Sequence, residues 1–103
     1  AAAIRDFTEA VRLKPDYADA YNNRGNAYND QGDYAAAIRD YTEAIRLKPD
    51  YAIAYFNRGV AYYHQNNSTQ AINDWEDALR IDPNHAPAKK NLEFVRRQLK
   101  NGE

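Results

Sequence analysis

The sequence predicts an all-α protein, a solenoid of antiparallel helix-turn-helix repeats stacked side by side. Three observations point there. Residues 1–17 and 35–51 are identical at fifteen of seventeen positions, at an offset of 34. Residues 18–51 and 52–85 agree at fifteen of 34 positions at the same offset. Each period reads as two helices parted by Gly32-Asp33 or Asn66-Asn67, and Pro15, Pro49 and Pro83 recur in phase. A period of this length holds one helical hairpin, which cannot bury its own apolar face, so neighbours must stack.

Residues 1–17 read as the second helix of a truncated repeat, 18–51 and 52–85 as full repeats, and 86–103 as a C-terminal solvating helix. The first helices are expected from about Ala18 to Gln31 and from about Ala52 to Gln65. The second helices are expected from about Tyr34 to Leu47 and from about Ser68 to Ile81. Gly32 and Asn66 suit the left-handed conformation that ends a helix. Asp33 and Asn67 can cap the helix that follows, and Gln70 completes a capping-box spacing after Asn67. Proline cannot continue the hydrogen-bond ladder, so Pro15, Pro49 and Pro83 each stop a second helix. Asp16, Asp50 and Asn84 are expected to cap the next first helix. Pro87 falls in the first turn of the last helix, where its missing N–H costs little.

The composition agrees with a packed helical protein. Apolar residues make up 44% of the 103 positions and charged residues 28%, a globular balance. The net charge of −1 argues against a chain built to coat nucleic acid or an anionic membrane. There is no cysteine, which removes disulfides, thiolate catalysis and cysteine-based zinc sites. No apolar run is long enough to span a membrane, and no leader opens the sequence, so cytoplasmic residence is the expectation.

The unit resembles the tetratricopeptide repeat, whose pattern is W-x2-L-G-x2-Y, then A-x3-F, then P, over 34 residues. Here it reads Tyr21-x2-Arg24-Gly25-x2-Tyr28, Ala37-x3-Tyr41, Pro49, and then Tyr55-x2-Arg58-Gly59-x2-Tyr62, Ala71-x3-Trp75, Pro83. The leading half-unit carries Ala3, Phe7, Ala10 and Pro15. The resemblance implies a right-handed superhelix whose first helices line a concave face where peptides or partner proteins bind. Arg24 and Arg58 depart from the pattern, which favours an apolar residue there. Asp40 and Asp74 recur in register with them, so Arg24–Asp40 and Arg58–Asp74 ion pairs are expected, with Asp6 as a rival partner for Arg24.

The concave stripe can be read residue by residue. In the first full unit it is Asp19, Asn22, Asn26, Asn29 and Asp30. In the second it is Ile53, Phe56, Val60, Tyr63 and His64, and on the last helix Pro87, Lys90, Phe94 and Arg97. The stripe runs from amide to apolar-aromatic to basic-aromatic while the scaffold repeats. Asn22, Asn26, Asn29 and Asn57 offer a donor and an acceptor each to an extended peptide backbone. Phe56, Val60 and Tyr63 suit an apolar anchor, with His64 beside them. Lys90 and Arg97 suit a carboxylate, around Phe94. Some relatives hold acidic chaperone tails with a two-carboxylate clamp. Asn26 and Asn57 match its amides, but Asn22, Pro87 and Asn91 occupy its basic places, so that ligand is not the leading expectation.

An alternative function is self-association. Ile4, Phe7 and Val11 face a missing first helix, and Leu92, Val95 and Leu99 lie on a last helix without its partner. Half-repeats of different chains would then complete one another, giving a homo-oligomer. Residues 86–103 carry a net charge of +3, from five basic and two acidic residues, which reads as a solubilising cap. Enzyme chemistry is not expected. His64 and His85 stand apart, no phosphate-binding glycine loop occurs, and neither metal nor cofactor is implied.

Overall fold

The computed structural model describes residues 2–102; Ala1 and Glu103, counted above in the first and last segments, lie outside the described residues. Six helices follow one another: α1 (Ala2–Leu13), α2 (Ala18–Asp30), α3 (Tyr34–Leu47), α4 (Ala52–His64), α5 (Ser68–Ile81) and α6 (Ala86–Lys100). Each packs on its chain neighbours, and α2 also touches α4. The stack is elongated, 47 × 26 × 17 Å. Its radius of gyration of 13.9 Å exceeds the roughly 13 Å of a compact domain this size.

The turns behave as their residues dictate. Gly32 sits at φ +80° and Asn66 at φ +64°, each ending the first helix of a hairpin. The Asp33 carboxylate accepts from the Ala36 N–H at 3.2 Å, and the Asn67 side-chain oxygen Oδ1 accepts from the Gln70 N–H at 3.2 Å. α1, α3 and α5 each end two residues before their proline. Pro87 takes its place in the first turn of α6.

The expected caps at Asp16, Asp50 and Asn84 are not used. The capping positions fall one residue later, at Tyr17, Tyr51 and His85. The Pro-Asp and Pro-Asn pairs are spent in the turn itself, so the residue after them takes the extended conformation that opens the helix. Tyr17 and Tyr51 have no side-chain cap, and their rings carry Lys14 and Lys48 instead. His85 caps in its own right, its Nδ1 accepting from the Ala88 N–H at 3.2 Å.

The core forms where hairpins close and stack. The fully buried Tyr41 ring lies on Gly25, and the fully buried Trp75 ring lies on Gly59. A Cβ at Gly25 would stand 2.7 Å from the Tyr41 ring, and one at Gly59 would stand 2.5 Å from Trp75 Nε1. Only glycine lets the rings come this close. Tyr41 gathers Ala37, Ala61, Tyr28, Tyr34 and Ile38 around it. Trp75 heads a larger cluster with Ala71, Ala78, Ala88, Leu92 and Val95. Leu92 and Val95, read above as candidate self-association residues, are therefore core: they seal Trp75 and are only 3% and 2% exposed. Val11 is likewise buried, while Ile4 and Phe7 are half-buried and Leu99 is half exposed.

Two ion pairs tie the hairpins, as the recurrence of Arg and Asp anticipates. Arg24 meets Asp40 through two hydrogen bonds, Nε at 2.8 Å and Nη2 at 2.7 Å. Arg58 meets Asp74 in the same way, at 2.9 and 2.8 Å. Asp6 is not a partner. The third nitrogen of each guanidinium instead reaches back one helix, from Arg24 to the Thr8 hydroxyl at 3.4 Å and from Arg58 to the Thr42 hydroxyl at 3.1 Å. Each arginine thus fastens three successive helices, and its planar face also covers a ring, Tyr21 or Tyr55. Burial pushes the Asp74 carboxyl above the usual carboxylate range, and the Arg58 hydrogen bonds and charge pull back against it.

Candidate functional site in the concave groove

The first helices α2, α4 and α6, expected to line the concave face, carry stripes that differ in what they leave free. On α2 three polar side chains of the stripe, Asp19, Asn22 and Asn26, are consumed by the fold. The Tyr51 hydroxyl donates to the Asp19 carboxylate at 2.7 Å. The Asn57 amide donates to the Asn22 oxygen at 3.1 Å, and Asn22 is only 5% exposed. The Tyr41 hydroxyl donates to the Asn26 oxygen at 2.5 Å. Burial raises the pKa of Tyr41, so its phenol stays protonated and able to donate. The Asn29 oxygen is buried without a partner. Asn22 and Asn57 are therefore an inter-helix pair, not open peptide ligands. The position of Asn22 is open in sequence, but α4 stacks directly over it.

Between α4 and α6 the groove opens into a cavity of about 250 Å³. Val60, Tyr63, His64, Trp75, Asn91, Phe94 and Val95 line it. The cavity joins four residues read as groove positions, Val60, Tyr63, His64 and Phe94, and adds three that the stripe reading did not include. Trp75 and Val95 show there because the core cluster forms the cavity floor. Asn91 is one helical turn before Val95 and supplies a polar edge.

The cavity walls are fixed by contacts around them. Trp75 Nε1 donates to the Phe56 carbonyl at 3.2 Å, which pins the indole against α4. Phe56 lies among the core residues, and its ring meets His85 at 5.1 Å between centroids. It supports the cavity without lining it. The Tyr63 ring stands 6.1 Å from Trp75, and its hydroxyl donates to Gln98 on α6 at 3.3 Å. His64 stacks on Tyr34 at 5.0 Å. Phe94 remains half exposed at the rim. Lys90 and Arg97 are exposed and flank Phe94 at i−4 and i+3 on α6 without lining the cavity.

Among the described residues no group of three or more His, Cys, Asp or Glu could hold a metal ion. No described helix is long and apolar enough to cross a membrane. What the site offers is an apolar recess with a polar edge and a basic flank, on a rigid helical frame.

Comparison with known proteins places this frame among all-α helical-repeat solenoids. The chain overlays on the first TPR domain of Spaghetti (RPAP3), solved with the HSP90 peptide SRMEEVD, with a TM-score of 0.90 and 28% identity over 94% of this chain and 77% of that one. It overlays on the Arabidopsis OM64 TPR domain with a TM-score of 0.91 and 28% identity, covering 93% and 79% of the two chains. The first TPR domain of human RPAP3 gives a TM-score of 0.91 and 28% identity, over 96% and 78%. The family described as TPR repeat matches residues 1–32 and 25–66, and that described as tetratricopeptide repeat matches 52–85. The chain belongs to the tetratricopeptide repeat family, a family of protein-interaction modules. No curated protein matches it.

Proposed function

We propose that this protein is a protein-interaction scaffold that binds a peptide or partner segment in its concave groove, seated on the cavity between α4 and α6. The observation that carries this is the cavity itself: an apolar recess beside a half-exposed Phe94, at the place where Phe56 and Val60 replace the amides Asn22 and Asn26 of the preceding unit. Buried apolar anchors dominate the affinity of such contacts. The RPAP3 domain with which the chain aligns holds a peptide, which supports a peptide ligand here. The amides Asn22, Asn26 and Asn57 position the helices and are not the grip on the ligand.

The test is a selection of binders from a random-peptide library, followed by calorimetry against wild type and Phe94→Ala. The reading expects the substitution to weaken a selected peptide about tenfold or more while leaving the helical melting curve in place. Unchanged affinity across the selected peptides would contradict it.

Self-association is the second reading, and less surface supports it than the bare sequence suggested. Leu92, Val95 and Val11 are buried within one chain, leaving Ile4, Phe7 and Leu99 to make the contact. Light scattering over a wide concentration range tests it, since a constant monomer mass would end it.

A further inference from the structure

The geometry points to a defined class of ligand for this cavity: an internal, extended peptide segment in which one bulky apolar side chain is flanked by acidic residues. This rests on the groove-binding reading above and adds the composition of the segment.

Size sets the first part. At about 250 Å³ the cavity is smaller than the roughly 300–1,000 Å³ of pockets that enclose a whole small molecule. It suits one bulky side chain, with the rest of the segment lying along the groove. The lining is apolar and aromatic apart from His64 and Asn91, so an aliphatic or aromatic side chain fits its floor.

Charge sets the second part. α4 contains no Asp or Glu. On α6, Lys90 and Arg97 lie beside Phe94 on the side away from the core. Arg96 is taken by Glu76, but among the described residues no carboxylate stands within ion-pair distance of Lys90 or Arg97. Glu93, the single acidic residue of α6, lies further round the helix from the cavity than either. The carboxylates of α5 are engaged, Asp74 with Arg58, Glu76 with Arg96 and Asp77 with Arg80. Asp19 on α2 is bonded to Tyr51. Lys90 and Arg97 outnumber Glu93, which lies one turn from each, so this flank of the recess is net positive, a field that favours carboxylates near the anchor.

The same charges argue against a second copy of this chain docking through its most exposed large apolar side chains. Leu13 sits between Arg12 and Lys14, and Leu99 adjoins Lys100, so either would bring like charge to Lys90 and Arg97. Phe7 adjoins Asp6, and docking of a second copy through it is the dimer outcome that the test below separates. A free C-terminal carboxylate is not required either. Asn22 and Asn26 are held by Asn57 and Tyr41 and the Asn29 oxygen is buried, while the stripe on α2 holds no cation to close on one.

The test uses Trp75, the single tryptophan, which lines the cavity and reports on its filling by fluorescence. The probes are decapeptides with both ends blocked: a central Leu flanked by Asp and Glu, the same with Ala for Leu, the same with Asn and Gln for the acids, and the same with Lys for the acids. A fifth probe is the acidic Leu peptide with a free C-terminus. The acidic Leu peptide is expected to change Trp75 emission and to bind about tenfold or more tighter than the Ala, amide and Lys versions. Its affinity should fall with salt and be indifferent to the free terminus. Lys90→Gln with Arg97→Gln, both exposed, should erase the preference for acids and leave that for Leu over Ala. Phe94→Ala should reduce the preference for Leu.

Equal or tighter binding of the amide or Lys peptides would overturn the inference, as would a strong demand for the free terminus. If none of the probes binds, the inference falls, and the library selection above decides the broader reading separately. Groove binders of another composition would leave that reading standing, and their absence would remove both. A dimer abolished by Phe94→Ala would assign the cavity to a second copy and overturn the inference.

Discussion

The stripes of α2 and α4 occupy equivalent places in successive hairpins, yet one is closed and the other open. On α2, Asp19, Asn22 and Asn26 each bond to a neighbouring helix, through Tyr51, Asn57 and Tyr41. On α4, the equivalents Ile53, Phe56 and Val60 have no polar groups to spend, and beyond them the face recedes into a cavity bounded by α6. The difference begins in the sequence. Amides at this spacing reach across to the next helix and draw the layers together. Apolar residues pack on Trp75 and leave the next layer, which is α6, to close only part of the gap. A repeat can thus use the same positions either to cement the stack or to make a recess.

The largest way to break this comparison is to remove the floor of the open half. Trp75→Ala should cost about 3–5 kcal/mol in denaturant unfolding, because it empties the centre of the larger core cluster. Tyr41→Phe removes only a hydroxyl from the closed half and should cost about 1 kcal/mol, the worth of its bond to Asn26. Between these lies the clamp that both halves share. Asp74→Ala strands the partly buried guanidinium of Arg58 and should cost about 3 kcal/mol, near the low end for a broken buried pair because Arg58 keeps some access to water.

Asn57→Ala probes the closed half directly. It leaves the buried Asn22 oxygen without its donor, at a cost of about 1–2 kcal/mol, and Asn22→Ala added to it should cost much less than its own share. Phe94→Ala, at the rim of the open half, should alter stability by less than about 0.5 kcal/mol while removing ligand affinity.

The smallest effect is a pH slope. Burial holds the Asp74 carboxyl above its unfolded value near 3.9, so the folded state binds more protons through that interval. The contribution of this group to stability is therefore full below the unfolded pKa and declines as pH rises through the folded one. Wild type should lose stability relative to Asp74→Asn over that window in urea melts. A gain over the same window would contradict the direction.

Much of the frame was legible in the sequence. The 34-residue period, the turn residues Gly32 and Asn66 and the recurring Arg and Asp fixed the hairpins and their ion pairs in advance. Thr8 and Thr42 recur at the same offset and carry the signal for the third bond of each arginine, a hydroxyl contact that charge complementarity alone does not reveal. The caps were misplaced because Asp and Asn after proline look like caps, while the Pro-Asp turn shifts the helix start by one residue. The candidate site was legible as a stripe and not as a cavity. Whether Asn22 faces solvent or the next helix depends on the spacing between layers, which no single helix encodes. Leu92 and Val95 read as an unpaired face until the position of Trp75 shows what they cover.

The central claim is that ligands seat on the open half of the groove, and backbone amide shifts on titration with a library-selected peptide test it most directly. The account predicts that the largest shifts cluster at Val60, Tyr63, His64, Asn91, Phe94 and Val95, with Asn22 and Asn26 little moved. Shifts centred on α2, or on the outer face of α1 and α3, would contradict it.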